Sequence, residues 1–370
     1  MPFPEKTLYQ IALTHINGVG VTLAKALMQA VGDEEAVFTG SARKLEAIPR
    51  ISKRLIGEIR HPDVLRRAEQ ELKFIEKNHI RPLFFTDADY PQRLTNCIDA
   101  PILLYTKGNT DFNREKVVSI VGTRNASKYG QNFCQKFIHD LSEQFPEMMI
   151  VSGLAYGIDV HAHRAALQNN VSTVGVLAHG LDRLYPAQHR NTAVEMLENG
   201  ALLTEFPSDT NPDKHNFVRR NRIVAGMADA VVVVESGEKG GSLITADIAD
   251  SYFREVFALP GRTTDKSSAG CNQLIANNKA VLLQNAESFS KHLGWSKSGK
   301  PQQPKQRELF LNLTEDEEKI FNALNKGGRL QVNMLAIELN TPVSELFFTL
   351  LELEMKNIVE ALPGGVYKLT

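Results

Sequence analysis

Seven short, near-continuous apolar runs constrain this chain more than any other feature: VVSIV, MMIVS, STVGVL, ALLTEF, AVVVVE, EVFALP and AVLL, all between Val117 and Leu283. Segments such as QNFCQKFIHDLSEQF and TAVEMLEN lie between them, with apolar residues at helical spacing. Strands that lack polar alternation must be covered on both faces, and helices between them supply the cover. The pattern therefore predicts an α/β fold with a mostly parallel sheet and helices on both faces. In such sheets ligands bind beyond the carboxyl ends of the strands. GTRN, SGLAYGID, AHGLD, TEFP, ESGEKGGS and LPGR all fall at such ends, so one crevice collects them.

Other architectures flank this region. Residues 1–79 read as helical, and THINGVGVTLAKALMQAVG has the form of a helix–hairpin–helix turn at Gly18 and Gly20. Such a turn can face a phosphate without contacting a base. A second copy, EAIPRISKRLIGEIR, has Arg50 and Ser52 in place of the glycines and has lost that turn. Two readings of the pair stay open: weak DNA contact, or a structural cap. Residues 294–312 are rich in Pro, Gln and Lys and read as a linker. Residues 313–370 read as three helices and a hairpin, a winged helix, with Thr314 as an N-cap. Its third helix, residues 343–356, sets Glu345, Glu352 and Glu354 against Lys356. Acids there oppose a duplex, so the module is expected to contact a partner or itself.

Composition narrows the field. With 370 residues, 42% hydrophobic and 23% charged, the chain suits a multidomain globular protein. No run of about 18 apolar residues and no signal pattern at MPFPEKTLYQ point to the cytoplasm, with no membrane partner. Cys97, Cys134 and Cys271 form no CxxC pair and read as buried thiols. Net charge is −1, so any nucleic-acid site must gather its cations locally. Lys214, Arg219, Arg220 and Arg222 do so within KHNFVRRNRIVAGMA, which contains no acid.

Three motifs carry chemistry. SIVGTRNASKYG turns from strand to helix at Gly122, but Thr123 and Arg124 follow where a dinucleotide fold would carry further glycines. No acidic ribose clamp follows either, so no cofactor is expected. In ESGEKGGSLITADIA, Gly240, Gly241 and Ser242 open a helix, where backbone amides and a hydroxyl converge on an anion. His161 and His163 point apart on a helix, which argues against a metal, and Asp159 is expected to cap that helix. Neither Ser152 nor Ser242 lies in Gly-x-Ser-x-Gly, so no catalytic residue is assigned.

Taken in order, Gly122-Thr123-Arg124, VSGLAYGIDVHAHRAAL, NFVRRNRIVAGMADAVVVVE, GGSLITADIA, EVFALPG and GCNQLI resemble the DprA (Smf) family, bacterial DNA-processing proteins of natural transformation. DADYPQRLTNCIDAPILLYTKGN fits the family's entry segment, within residues 80–115. The resemblance is strong over residues 80–285 and looser at either end. It implies a Rossmann-like domain over residues 80–293 that binds single-stranded DNA without sequence specificity and hands it to the recombinase RecA. It further implies a homodimer through that domain and no catalytic turnover. Carried over by position, Arg124, Arg219, Arg220 and Arg222 hold phosphates and Phe217 stacks on a base. Gly122, Thr123, Lys128, Ser152, Gly153, Asn221, Gly240, Gly241 and Ser242 complete the expected site.

The sequence departs from the family at Val218, where proline is frequent, at Tyr156, where a basic residue is frequent, and at Asn278-Lys279, where glycine is usual. Lys279 either adds a cation at the crevice or alters a turn. Two alternatives stand beside the main reading. The fold also resembles LOG-type phosphoribohydrolases acting on nucleoside monophosphates, but KGGSLITAD lacks their third glycine and glutamate. A duplex-DNA regulator acting through the winged helix meets the acidic third helix described above.

Overall fold

The computed structural model describes residues 3–48, 51–295, 313–356, 358–362 and 364–370. Nine strands form the main sheet: β1 Arg81–Phe84, β2 Leu103–Asn109, β3 Val117–Val121, β4 Met149–Ser152, β5 Ser172–Val176, β6 Gly200–Thr204, β7 Ala230–Val233, β8 Glu255–Ala258 and β9 Val281–Leu282. Their spatial order is β1-β2-β6-β5-β4-β3-β7-β8-β9. Strands β3 to β9 pair in parallel, and they are the seven apolar runs read from the sequence. The entry segment adds what the sequence reading lacked: β2 pairs antiparallel to β6, and β1 to β2. Pro82 is tolerated in β1 because that strand is an edge and needs fewer ladder donors.

Each central strand feeds two cores, because successive side chains point to opposite faces. Val117 and Val121 of β3 join a cluster with the helices on one side, including Ile223 and Ala246. Val118 and Ile120 join Phe137, Ile138, Ala162 and Phe289 on the other. Both faces are buried, as continuous apolar runs require. Cys97, Cys134 and Cys271 are buried thiols, and burial pushes Cys97 up to about 11. Strand order reverses between β3 and β7, so the loops at residues 122–127 and 234–240 flank the switch point.

The N-terminal helices share the first of these clusters, through Ile11, Leu13, Leu27 and Ile75. A polar bolt fixes the helix Pro62–Lys77 to the loop after β6. Buried Glu71 accepts from the Ser208 amide at 3.0 Å and from its hydroxyl at 2.5 Å, and pairs with Arg67 at 2.9 Å. Gly18 has φ +82, so the hairpin turn forms, with Gly20 ahead of the helix Val21–Val31. Of the second copy, Arg50 lies outside the described residues, and Ser52 accepts from the Leu55 amide as an N-cap. Residues 296–312 of the expected linker also lie outside them.

The C-terminal module has helices Glu315–Gly327, Val332–Leu339 and Val343–Met355, and strands β10 Arg329–Gln331, β11 Val359–Leu362 and β12 Val366–Leu369 in the order β10-β12-β11. Thr314 and Glu317 form a reciprocal capping box. The turn between β11 and β12 needs two consecutive positive φ values, +88 at Gly364 and +63 at Gly365, which glycine meets without strain. Glu345, Glu352 and Glu354 are exposed, and Lys356, the C-cap of the helix Val343–Met355, is held by Glu317 at 2.6 Å. No single helix among the described residues is long and apolar enough to cross a membrane.

Arg93 ties the entry segment to the sheet. It grips Asp229 through two bonds of 2.7 and 2.9 Å, and Asp229 also accepts from the Val117 amide. Arg93→Ala strands a mostly buried carboxylate and is expected to cost about 3 kcal/mol in urea denaturation. A second expectation concerns acid. Burial lowers His163 to about 3. The unfolded chain then takes up a proton below about 6.5 that the folded protein refuses, so stability is full above that pH and falls below it. That loss runs at about 1.4 kcal/mol per pH unit. Urea midpoints between pH 7 and 4 should show it, with a shallower fall in His163→Asn.

Candidate nucleic-acid interface

The loop after β3 is held by its backbone and offers its side chains. A Cβ on Gly122 would overlap Ile158 and crowd the Glu235 carbonyl, so glycine here permits close packing of neighbouring loops. The Thr123 amide donates to the Glu235 carbonyl at 2.7 Å, and the Thr123 carbonyl accepts from Ile158 at 3.1 Å. Its hydroxyl oxygen accepts from the Asn125 amide at 3.2 Å. Arg124 then projects into solvent, as does Lys128 at the start of the helix Lys128–Ser142. Neither is ion-paired to a carboxylate among the described residues.

The basic run forms the helix Lys214–Gly226, capped by Asp213. Helical periodicity divides it, because residues three apart share a face. Phe217 and Arg220 turn towards the loop of Arg124. The Arg124 guanidinium carbon stands 5.2 Å from the Phe217 ring centre and that of Arg220 stands 5.9 Å away. Tyr185, 41% exposed, meets the same ring at 5.9 Å and 61°. A cation and two aromatic rings therefore lie side by side. A base can stack there while its phosphate meets a guanidinium.

Arg219 and Arg222 face the other way, onto the end of β6. Both bond one oxygen of buried Glu205, at 2.8 and 2.5 Å. The acid missing from the basic run in sequence thus arrives from the TEFP motif. Arg219 stays half-exposed, its guanidinium 5.2 Å from the centre of the Phe206 ring.

Four expected contacts are corrected by burial. Arg220 is 4% exposed and spends its donors on the Gly153 carbonyl, at 2.7 Å, and on the Val176 carbonyl. Burial lowers its pKa to about 10, against the opposing pull of Asp159. Gly153 makes room for that guanidinium, which any Cβ would overlap. Ser152 is fully buried and donates to the Ile120 carbonyl at 2.6 Å. The buried Ser242 hydroxyl donates to Ser236 at 2.9 Å. These groups shape the crevice from beneath. Asn221 accepts from Arg220 at 3.3 Å.

Gly240 and Gly241 do open the helix Gly241–Ser251, without a side-chain cap, and Gly241 has open space around it. Asp159 does not cap its own helix. Its carboxylate accepts from the Gly153 amide at 3.1 Å and closes the preceding loop. His163 is buried against the Thr173 hydroxyl at 2.7 Å. Lys279 pairs with Asp247 at 2.8 Å, so the cation of that departure is tied to a neighbouring helix.

Sequence reasoning missed Tyr185, Glu205 and Glu235. Glu235 accepts from the Ser127 amide at 2.9 Å and its hydroxyl at 2.5 Å, locking the two switch-point loops together. Exposed Lys239, Arg262 and Lys266 extend the same edge, on loops joined by the bond from the Gly270 amide to the Ser236 carbonyl. Only the ESG and LPGR turns hinted at these in sequence.

The fold and its loop edge define a Rossmann-like α/β protein with a C-terminal winged helix. Residues 81–294 match the family model for DNA recombination-mediator protein A, and residues 300–365 match the DprA winged helix domain. The chain belongs to the DprA/Smf family. Protein Smf of Escherichia coli is 36% identical over 284 residues, covering 76% of this chain and 75% of that protein. DNA processing protein DprA of Streptococcus pneumoniae is 42% identical over 196 residues, covering 53% and 68%. The X-ray structure of the Streptococcus pneumoniae DprA superposes with a TM-score of 0.61 at 31% identity, over 79% of this chain and 98% of that one. DNA processing protein A of Helicobacter pylori, solved for its single-stranded DNA binding mode, gives 0.52 at 29% identity, over 58% and 95%.

The two glycine environments make opposite demands. Gly153→Ala drives a methyl into the Arg220 guanidinium and should lower stability by roughly 1–3 kcal/mol. Gly241→Ala enters open space and should leave the urea midpoint unchanged or slightly raised.

Proposed function

We propose that the protein binds single-stranded DNA without sequence preference along the loop edge of its sheet and presents it to RecA, as a recombination mediator without catalytic turnover. One observation carries the reading: the free Arg124 guanidinium beside the Phe217 ring, with Tyr185 against it, at the switch point. Phosphate and base meet complementary groups there, and neither contact selects a base. Lys128, the amides at Gly240 and Gly241, and the cations Lys239, Arg262 and Lys266 continue the phosphate track. The choice of ligand is supported by the Helicobacter pylori relative, whose structure was solved for its single-stranded DNA binding mode.

The winged helix acts as a protein-contact module. Its third helix exposes Phe347, Phe348, Leu351 and Met355 beside its acids, a surface suited to protein and opposed to duplex. Homodimerisation is assigned to the Rossmann-like domain, whose edge strand β9 leaves Leu282 exposed.

Fluorescence anisotropy with labelled oligo-dT and a matched duplex, across salt, tests the binding. Tighter binding to the single strand is expected, weakening with salt as counterions are released. Arg124→Ala should reduce affinity about tenfold, by roughly 1.4 kcal/mol, and flatten the salt slope by about 0.7. An unchanged affinity and slope in Arg124→Ala would sink the site. RecA filament growth on strands precoated with single-strand binding protein, with and without this protein, tests the delivery step.

A further inference from the structure

The helix Lys214–Gly226 has two faces, and only one looks onto the Arg124 edge. The other opens on a cleft of about 460 Å³ between the hairpin turn of the N-terminal domain and the end of β6, within the size range of small-ligand sites. Gly18, Gly20 and Thr22 line one wall; Glu205, Arg219 and Arg222 line the other. The helix Val21–Val31 starts at the first wall with no side-chain cap and no acid in its first turn, so its leading amides keep their positive field. On the second wall Arg222 is nearly buried and committed to Glu205, with Asp99 at 4.0 Å. Arg219 is half-exposed and gives Glu205 a single bond. A guanidinium carries five N–H donors, so Arg219 retains free ones.

Glu205 supplies the independent sign of a ligand. Its side chain is 3% exposed, it lines this cleft, and its Oε1 is buried without a hydrogen-bond partner among the described residues. An unpartnered buried carboxylate oxygen calls for a donor. A ligand that satisfies both walls carries a phosphate for Arg219 and the hairpin amides, and an N–H for Glu205. A nucleotide unit has both. A single strand offers such a unit with the whole edge of its base free.

We propose that this cleft is a second nucleotide subsite, in which the N-terminal domain and the Rossmann-like domain together hold one unit of a single strand. Its phosphate lies between Arg219 and the amides that follow Gly20, and its base donates to Glu205 Oε1. Arg222 is a positioning residue that holds Glu205 in place. The inference rests on the single-strand reading and adds a length requirement to it, since a strand must be long enough to reach from Phe217 to the hairpin.

Anisotropy with oligo-dC of about 6 and about 20 nucleotides tests it on the full chain. Two variants are informative. Arg219→Ala removes a half-exposed side chain. Thr22→Glu places an acid in a helix first turn, which favours the helix while repelling a phosphate. Each should leave the short oligomer within about twofold, weaken the long one about tenfold, and reduce the salt slope of the long one by about 0.7. Arg124→Ala should weaken both lengths. Equal effects of Arg219→Ala and Thr22→Glu on the two lengths, or no effect on either, would overturn the subsite while leaving the Arg124 edge standing. If the unaltered protein binds neither oligomer, the single-strand reading falls and the subsite with it. Free dCMP, added as a competitor, separates sources. Displacement of the long oligomer only at high excess supports a strand unit, and displacement at stoichiometric dCMP overturns it in favour of a free-nucleotide site.

Discussion

A buried guanidinium organises the crevice. Arg220 enters from the helix Lys214–Gly226 and bonds the carbonyls at the ends of β4 and β5, while Asp159 faces it and binds the amide of Gly153. A charge removed from water is costly unless its donors are met, and here two peptide oxygens and the Asn221 side chain accept from it, with the Asp159 carboxylate nearby. Three neighbouring loops thereby take one arrangement. Phe217, one helical turn before Arg220, is placed beside Arg124 by the same constraint.

The helix that carries the most arginines thus gives only part of its charge to the surface. Arg220 is structural and Arg222 is held by Glu205, while Arg124 and half of Arg219 remain for a ligand. This division suits a protein of net charge −1. A wholly free cluster would attract any polyanion, whereas a few unpaired cations beside the exposed ring of Tyr185 and the half-buried ring of Phe217 suit the proposed single strand. Glu235 plays the matching role across the switch point, where its carboxylate ties the loops of β3 and β7 through Ser127.

Much of this was legible beforehand. Continuous apolar runs can be satisfied only by a sheet covered on both sides, so the seven parallel strands and their helices follow from pattern. The turn of Gly364 and Gly365 and the cap at Thr314 were equally local. The antiparallel strands β1 and β2 were not, because an edge strand carrying Pro82 has no distinctive pattern and takes its form from the neighbour it joins. Nor could Ser152 be told from a binding serine: polar type says nothing about whether a neighbouring carbonyl has already claimed the hydroxyl.

By itself the sequence determined the periodicity of each element, the edge of the sheet where loops gather, and the chemical types available there: guanidinium, ammonium, aromatic ring and free amide. These depend on residues near one another along the chain. Which arginine faces water, which acid meets it, and which ring stands beside Arg124 were decided by the tertiary structure alone. Glu205 and Arg219 are 14 residues apart on different elements. Tyr185, on a loop, and Phe217, on a helix, meet only once the sheet has formed. Burial and pairing are properties of that packing, and they separate a structural cation from one free to hold a phosphate.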